Sequence, residues 1–278
     1  MTNIESAIEA IESVNLETDE ASDQLHSIIT TRLKRLPIFL TDLNIGEYLV
    51  RARYLTEDED FHHYIQDYSY HPKPEFIRLL RANLPSQQVF YASRFRVTAL
   101  AEMRLVTANR ENKFARYSLG RWDVRQKLNL AAIITPKSIR DNKSVELYHL
   151  ADFIDQKGIE LSNDGEMKGF IDLYKYLSNK FREPVLEGEE NKYKITAAFS
   201  NFIHSMRPGE ADGILYQSVQ YPEHFNIAIQ RTAIDDGKLQ LTNAWRQKFE
   251  RIEGLHYKEI ESIQALNIDY QSSKITWP

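Results

Sequence analysis

At 278 residues, with 42% apolar and 27% charged side chains, the chain is long enough for a sizeable core and too apolar for global disorder. A net charge of −5 leaves no basic surplus to neutralise a phosphate backbone, which argues against direct nucleic-acid binding but not against a local basic pocket. The absence of cysteine excludes thiolate nucleophiles, disulfides and cysteine-ligated zinc.

The first residues are acidic and lack the basic start and apolar centre of a signal peptide, and the longest apolar runs, such as LAAII at 130–134, are too short to span a bilayer. The expectation is a cytoplasmic protein with no membrane contact. Two helices open the chain. Ile4, Ile8, Ile11 and Val14 recur at helical spacing behind a Thr2–Glu5 capping box. Leu25, Ile28, Ile29, Leu33 and Leu36 form a second stripe that stops at Pro37. Residues 1–43 therefore read as an N-terminal helical extension on a domain covering 44–278.

The pattern then changes. EYLVRARYL (47–55) and QVFYAS (88–93) read as strands, separated by turn signals and the aromatics Phe61, Tyr64, Tyr68 and Tyr70. Thr98 is placed to cap a helix running to about 108. Residues 114–124 and 128–134 read as further strands, 166–181 and 195–206 as amphipathic helices, 212–230 as strand–turn–strand, and 238–262 as more strand. Phe170, Leu173, Tyr174, Leu177 and Phe181 share one helical face, as do Ile195, Ala198, Phe199, Phe202 and Met206. The order predicts an α+β fold with a mixed, mainly antiparallel sheet and a helical insertion at about 140–208.

Candidate chemistry begins with Glu102. Its helical neighbours Thr98, Ala99, Leu105 and Val106 include no cation, so an i,i+4 ion pair is absent and the carboxylate is either solvated or aimed into a pocket. Arg51 and Arg53 share one face of a strand, and Arg81 sits in a turn; forked guanidinium groups suit phosphates, although strand solubility or structural pairing explains them equally. Tyr91 and Ser93 share a strand face and Tyr54 follows Arg53; these tyrosines either stack on a flat ring or fill the core. Ser218 has no G-x-S-x-G around it. No dinucleotide or P-loop glycine motif is present, and His62, His63 and His71 lack metal-ligand spacing, so no metal is expected.

Taken in order, LVRARY, RANLPS, VFYAS, TALAE and DGILYQSV followed by FNIAI resemble the RES-domain family over about 46–231. Arg81 to Ser86 corresponds to the family's GR-x-N-x-x-G, with Ser86 in the glycine place. Tyr91, Ser93, Ala99 and Glu102 correspond to the next elements, and Asp212, Gly213, Tyr216 and Ser218 to the last. The resemblance implies an ADP-ribosyltransferase-like fold and a toxin of a toxin–antitoxin pair that consumes NAD as substrate, without a separate cofactor. It also implies a helix-turn-helix antitoxin as partner and self-association into a homo-oligomer. On this basis Glu102, Arg51, Arg81 and Ser218 are the expected catalytic residues, with Arg53, Tyr54, Tyr91, Ser93 and Tyr216 binding substrate. A catalytically silent nucleotide-binding or protein-interaction module on the same fold is the alternative.

Overall fold

The computed structural model describes residues 3–278 apart from 34–36, 57–60, 108–112, 142, 144–146, 163–168, 207–208 and 254–255. The side chains of 3, 104–107, 161–162, 206, 253 and 256 also lie outside the description. Thr2 of the expected capping box, Leu36 of the second stripe, residues 166–168 and the side chains of Leu105, Val106 and Met206 therefore fall outside the described residues. The chain divides into two compact units: 1–42, 74–87 and 129–224 in the first, and 43–73, 88–128 and 225–278 in the second.

The first unit is mainly helical. Helices α1 (Asn3–Glu12) and α2 (Ala21–Arg32) bury Ile4, Ala7 and Ile11 and Ala21, Leu25 and Ile29 respectively. Arg32 ties them together by donating to the Ser6 carbonyl at 2.9 Å and to Ser6 Oγ at 2.7 Å. The second helix ends before the expected stop at Pro37, with Leu33 N–H bonding back to the Ile29 carbonyl. Next come β1 (Leu40–Leu43), β5 (Leu128–Ile133), α4 (Pro136–Asp141), α5 (Tyr148–Ser162), α6 (Phe170–Arg182), α7 (Tyr193–Met206) and β6 (Gly213–Gln217). The opening hairpin packs on α6 and α7 rather than standing alone. Tyr176 OH and Lys180 Nζ reach Glu12 at 2.5 and 3.0 Å, and Lys194 Nζ donates to the carbonyls of Leu16 and Thr18 at 2.8 and 2.9 Å.

Strand β1 departs from the all-helical expectation for residues 1–43. Its four residues carry little local signal; the pairing partner supplies it, as Ala132 N–H donates to the adjacent Phe39 carbonyl at 2.8 Å. Strands β5 and β6 run parallel, pairing Leu130 with Gly213 through Ile133 with Tyr216. All five β6 residues are buried, the usual state of a parallel strand covered on both faces.

The second unit is a sheet with one covering helix. Strands β2 (Tyr48–Leu55), β3 (Val89–Ser93), β4 (Phe114–Val124), β7 (Phe225–Gln230), β8 (Leu239–Glu253) and β9 (His256–Gln264) lie in the order β7-β3-β2-β4-β8-β9. Every neighbouring pair in this run is antiparallel. Short α8 (Arg231–Asp235) follows β7, and a hairpin of β10 (Asn267–Asp269) and β11 (Lys274–Thr276) ends the chain. With the parallel pair of the first unit, the fold is α+β with mixed, mostly antiparallel strands, as the element order predicts. Helix α3 (Arg96–Thr107) covers the sheet, resting Ala99, Leu100 and Met103 on Val50, Ala52, Tyr54 and Tyr117. It begins earlier than the sequence suggests: Ala99 N–H bonds the Phe95 carbonyl at 3.1 Å, so Thr98 lies buried inside the first turn rather than capping it. No described helix is long and apolar enough to cross a membrane.

Candidate active site

Strand β3 leads into α3 through only Arg94 and Phe95. That short bend swings the helix back over the strand that precedes it. Ser93, the last residue of β3, pairs in register with Asn226 on β7, so both side chains stand on one face. Ser93 Oγ donates to Asn226 Oδ1 at 2.5 Å, and Asn226 Nδ2 donates to Glu102 Oε1 at 2.7 Å. The carboxylate only accepts, which sets the amide with its nitrogen toward Glu102 and its oxygen toward the serine hydroxyl. Ser93 and Asn226 are buried and Glu102 is half-buried. Glu102 is thus partly exposed and also bonded to a buried amide.

Strand alternation sorts the remaining candidates of this unit by face. Val50, Ala52 and Tyr54 face α3, and Tyr54 meets Tyr117 edge-on at 5.9 Å. Tyr91 shares its side of β3 with Ser93. Arg51 and Arg53 share the opposite face of β2. The Arg51 guanidinium lies 5.3 Å from the Phe90 ring centre and donates through Nη1 to the Tyr91 carbonyl at 2.9 Å. Its Nε is buried without a hydrogen-bond partner. Burial first, and repulsion from Arg53 second, lower its pKa to about 10, with Tyr91 opposing. Arg51 thus supports the main chain of β3 beneath Tyr91 and Ser93. Arg53 Nη1 points to the Asp67 carbonyl at 3.4 Å.

The remaining candidates belong to the first unit, where each has a main-chain or packing contact. Arg81 is buried and donates to the carbonyls of Lys180 and Glu183 at 3.2 and 3.0 Å, with its guanidinium 5.0 Å from the centre of the Tyr193 ring. A cation on the last carbonyls of α6 satisfies groups that the helix cannot. Asn83 Nδ2 closes the same turn through the carbonyls of Arg78 and Leu84 at 2.9 and 2.8 Å. Ser86 adopts a left-handed backbone with φ +65°, a conformation that glycine takes at the least cost. Tyr216 is buried against Phe181, ring centres 5.4 Å apart. Ser218 Oγ accepts from Tyr221 N–H at 2.9 Å, and its own N–H donates to the His224 carbonyl at 3.0 Å, shaping the turn after β6. Asp212 clasps Asn129 through paired contacts of 2.7 and 3.0 Å at the start of the parallel pair.

Among the described residues, no group of three metal-ligating side chains converges. His62 instead sits buried with Nδ1 2.8 Å from Ser118 Oγ. A cavity of about 360 Å³ opens along Arg96, Val97 and Leu100 of α3 over Tyr117 and Phe249, on a stretch of the helix that does not include Glu102. The member of this hydrogen-bond chain that sequence reasoning passed over is Asn226. Its signal was one amide in the apolar run FNIAI, and only the β3–β7 register turns that amide into a partner of Glu102.

None of the curated proteins matches this chain. The RES domain model matches residues 48–250, most of the chain, and takes in every residue of the Ser93–Asn226–Glu102 relay together with Arg51, Arg81 and Ser218. The chain belongs to the RES domain family.

Proposed function

We propose that this protein is an NAD-consuming enzyme that cleaves the bond between nicotinamide and ribose. The observation that carries the reading is Glu102, a carboxylate held by a buried amide inside the family-matched region. RES domains are generally NAD-related toxin domains, and the finer assignment is a toxin restrained by a helix-turn-helix antitoxin. Breaking the glycosidic bond builds positive charge on the ribose as nicotinamide leaves as a neutral base. A preoriented carboxylate stabilises that charge without a covalent intermediate or a metal. Tyr54 and Tyr91, on the face that carries α3, would flank the nicotinamide ring. Arg51 would act through the main chain of β3, and Arg53, on the same face of β2, is the candidate in this unit for a phosphate. The ribosyl acceptor is water, phosphate or a protein side chain.

The test is nicotinamide release from NAD by the purified full-length chain. Glu102→Gln keeps the shape and removes the charge, and is expected to lower turnover by about 10²–10³-fold, comparable to losing one oxyanion-hole donor. A Glu102→Gln variant as active as wild type, or a wild type that leaves NAD intact in the absence of any partner, would sink the reading. The second reading, a nucleotide-binding module without turnover, is favoured by one observation: the Arg81 guanidinium is already engaged on two main-chain carbonyls. NAD binding without nicotinamide release would select it.

A further inference from the structure

We infer that Asn226 is a positioning residue for the Glu102 carboxylate, with Ser93 holding the far end of its amide in place. The inference rests on the NAD-cleaving reading and deepens it. Each member of the relay has one role. Glu102 Oε1 accepts from Asn226 Nδ2 at 2.7 Å, and Asn226 Oδ1 accepts from Ser93 Oγ at 2.5 Å. The carboxylate only accepts and so draws the amide nitrogen, and the serine hydroxyl, free to donate, holds the amide oxygen at the other end.

The scaffold beneath the relay is rigid. Asn226 lies between Phe225 and Ile227 on a strand whose apolar residues are buried, and Ser93 pairs with it directly across the ladder. Helix α3 is seated on the sheet by Ala99, Leu100 and Met103, but a glutamate has three rotatable bonds beyond the backbone. The amide removes that freedom. It also does so without charge. A lysine or arginine in its place would neutralise the carboxylate and weaken its attraction for a cationic ribose, whereas a neutral donor fixes the group and leaves its field intact. Removing a partner that orients a metal ligand typically costs about 10–100-fold in activity, and a loss of the same order is expected for a partner that orients this carboxylate.

The experiment compares full-length wild type, Glu102→Gln, Asn226→Leu, Asn226→Asp and Ser93→Ala for nicotinamide release from NAD, with a melting curve for each. Asn226→Asp keeps the side-chain shape but gives Glu102 a carboxyl in place of a neutral donor, so it serves even if Asn226→Leu fails to fold. The expected result is a 10–100-fold loss of kcat in both Asn226 variants, with KM for NAD changed less than about 3-fold. Ser93→Ala is expected to lose less, and to add nothing in the Asn226→Leu background, because the two residues act on one carboxylate. A merely structural asparagine would lower Tm and leave kcat per folded molecule unchanged. That outcome, or a loss carried wholly by KM, overturns the positioning role while an inactive Glu102→Gln keeps the NAD reading standing. A wild type without nicotinamide release overturns both.

Discussion

In the first unit the polar side chains that the sequence singles out turn inward on the main chain. Arg81 holds the end of α6, Asn83 closes its own turn, and Ser218 shapes the loop after β6. In the second unit Ser93 and Asn226 bind each other and pass the contact on to a carboxylate. Buried polar groups must be satisfied in either case. The difference lies in what satisfies them. A side chain bonded to the main chain has completed a fold, whereas a chain of side chains ending on a half-buried carboxylate has fixed the direction of an acid. The ordered family pattern therefore contains both kinds of contact, and the letters alone do not separate them.

The sharpest way to break this comparison is Arg81→Ala. Losing a buried cation that donates to two carbonyls at 3.2 and 3.0 Å takes a partner from the Glu183 carbonyl and leaves the Lys180 carbonyl only the Glu183 N–H at 3.3 Å. A loss of about 2–4 kcal/mol in urea unfolding of the full chain is expected. A variant that keeps its stability and loses NAD binding would instead place Arg81 with the site.

The acid limb of stability offers a second test within the first unit. Burial holds His204 on α7 well below the usual histidine range, at about 4, with Asp212 partly offsetting it. The folded state therefore takes up its proton less readily than the unfolded chain. Between pH about 4 and the unfolded value of 6.5 the unfolded state binds more protons, so stability falls as pH drops through that window and is full above it. His204→Gln is expected to remove about 2 kcal/mol of this acid sensitivity in unfolding curves between pH 7 and pH 4. An unchanged acid limb would show that other groups govern it.

The smallest effect is a gain. Ser86 holds φ +65°, a region that costs a residue with a β-carbon more than glycine. Ser86→Gly is expected to raise stability by about 0.5 kcal/mol, read as an upward Tm shift of about 1–2 °C. A decrease would mean that contacts of the serine side chain outweigh its backbone strain.

Much of the second unit was legible before its structure. Alternating apolar residues in EYLVRARYL, QVFYAS and FARYSLGRWDV predict β2, β3 and β4 nearly to the residue. The strands read clearly because β-forming residues are buried on both faces, Val50, Ala52 and Tyr117 under α3 and Leu49, Leu55, Phe90 and Trp122 on the other side. The stripe at Phe170, Leu173, Tyr174, Leu177 and Phe181 likewise predicts α6, where all five are buried. Strand β1, the hairpin of β10 and β11 and the true start of α3 were not legible. Elements of three or four residues, and a helix start without a capping signal, depend on partners distant in sequence.

The sequence by itself determined the longer elements, the α+β class and the family, because hydrophobic periodicity and an ordered set of short motifs are local properties of the chain. It also singled out Glu102 as a helix carboxylate with no cation one turn away. Tertiary structure alone decided what holds that carboxylate. Ser93 and Asn226 are 133 residues apart and Asn226 and Glu102 are 124 apart, and strand register brings them to one face. Register is a product of long-range pairing, and a shift by one residue would turn Asn226 to the other side of the sheet.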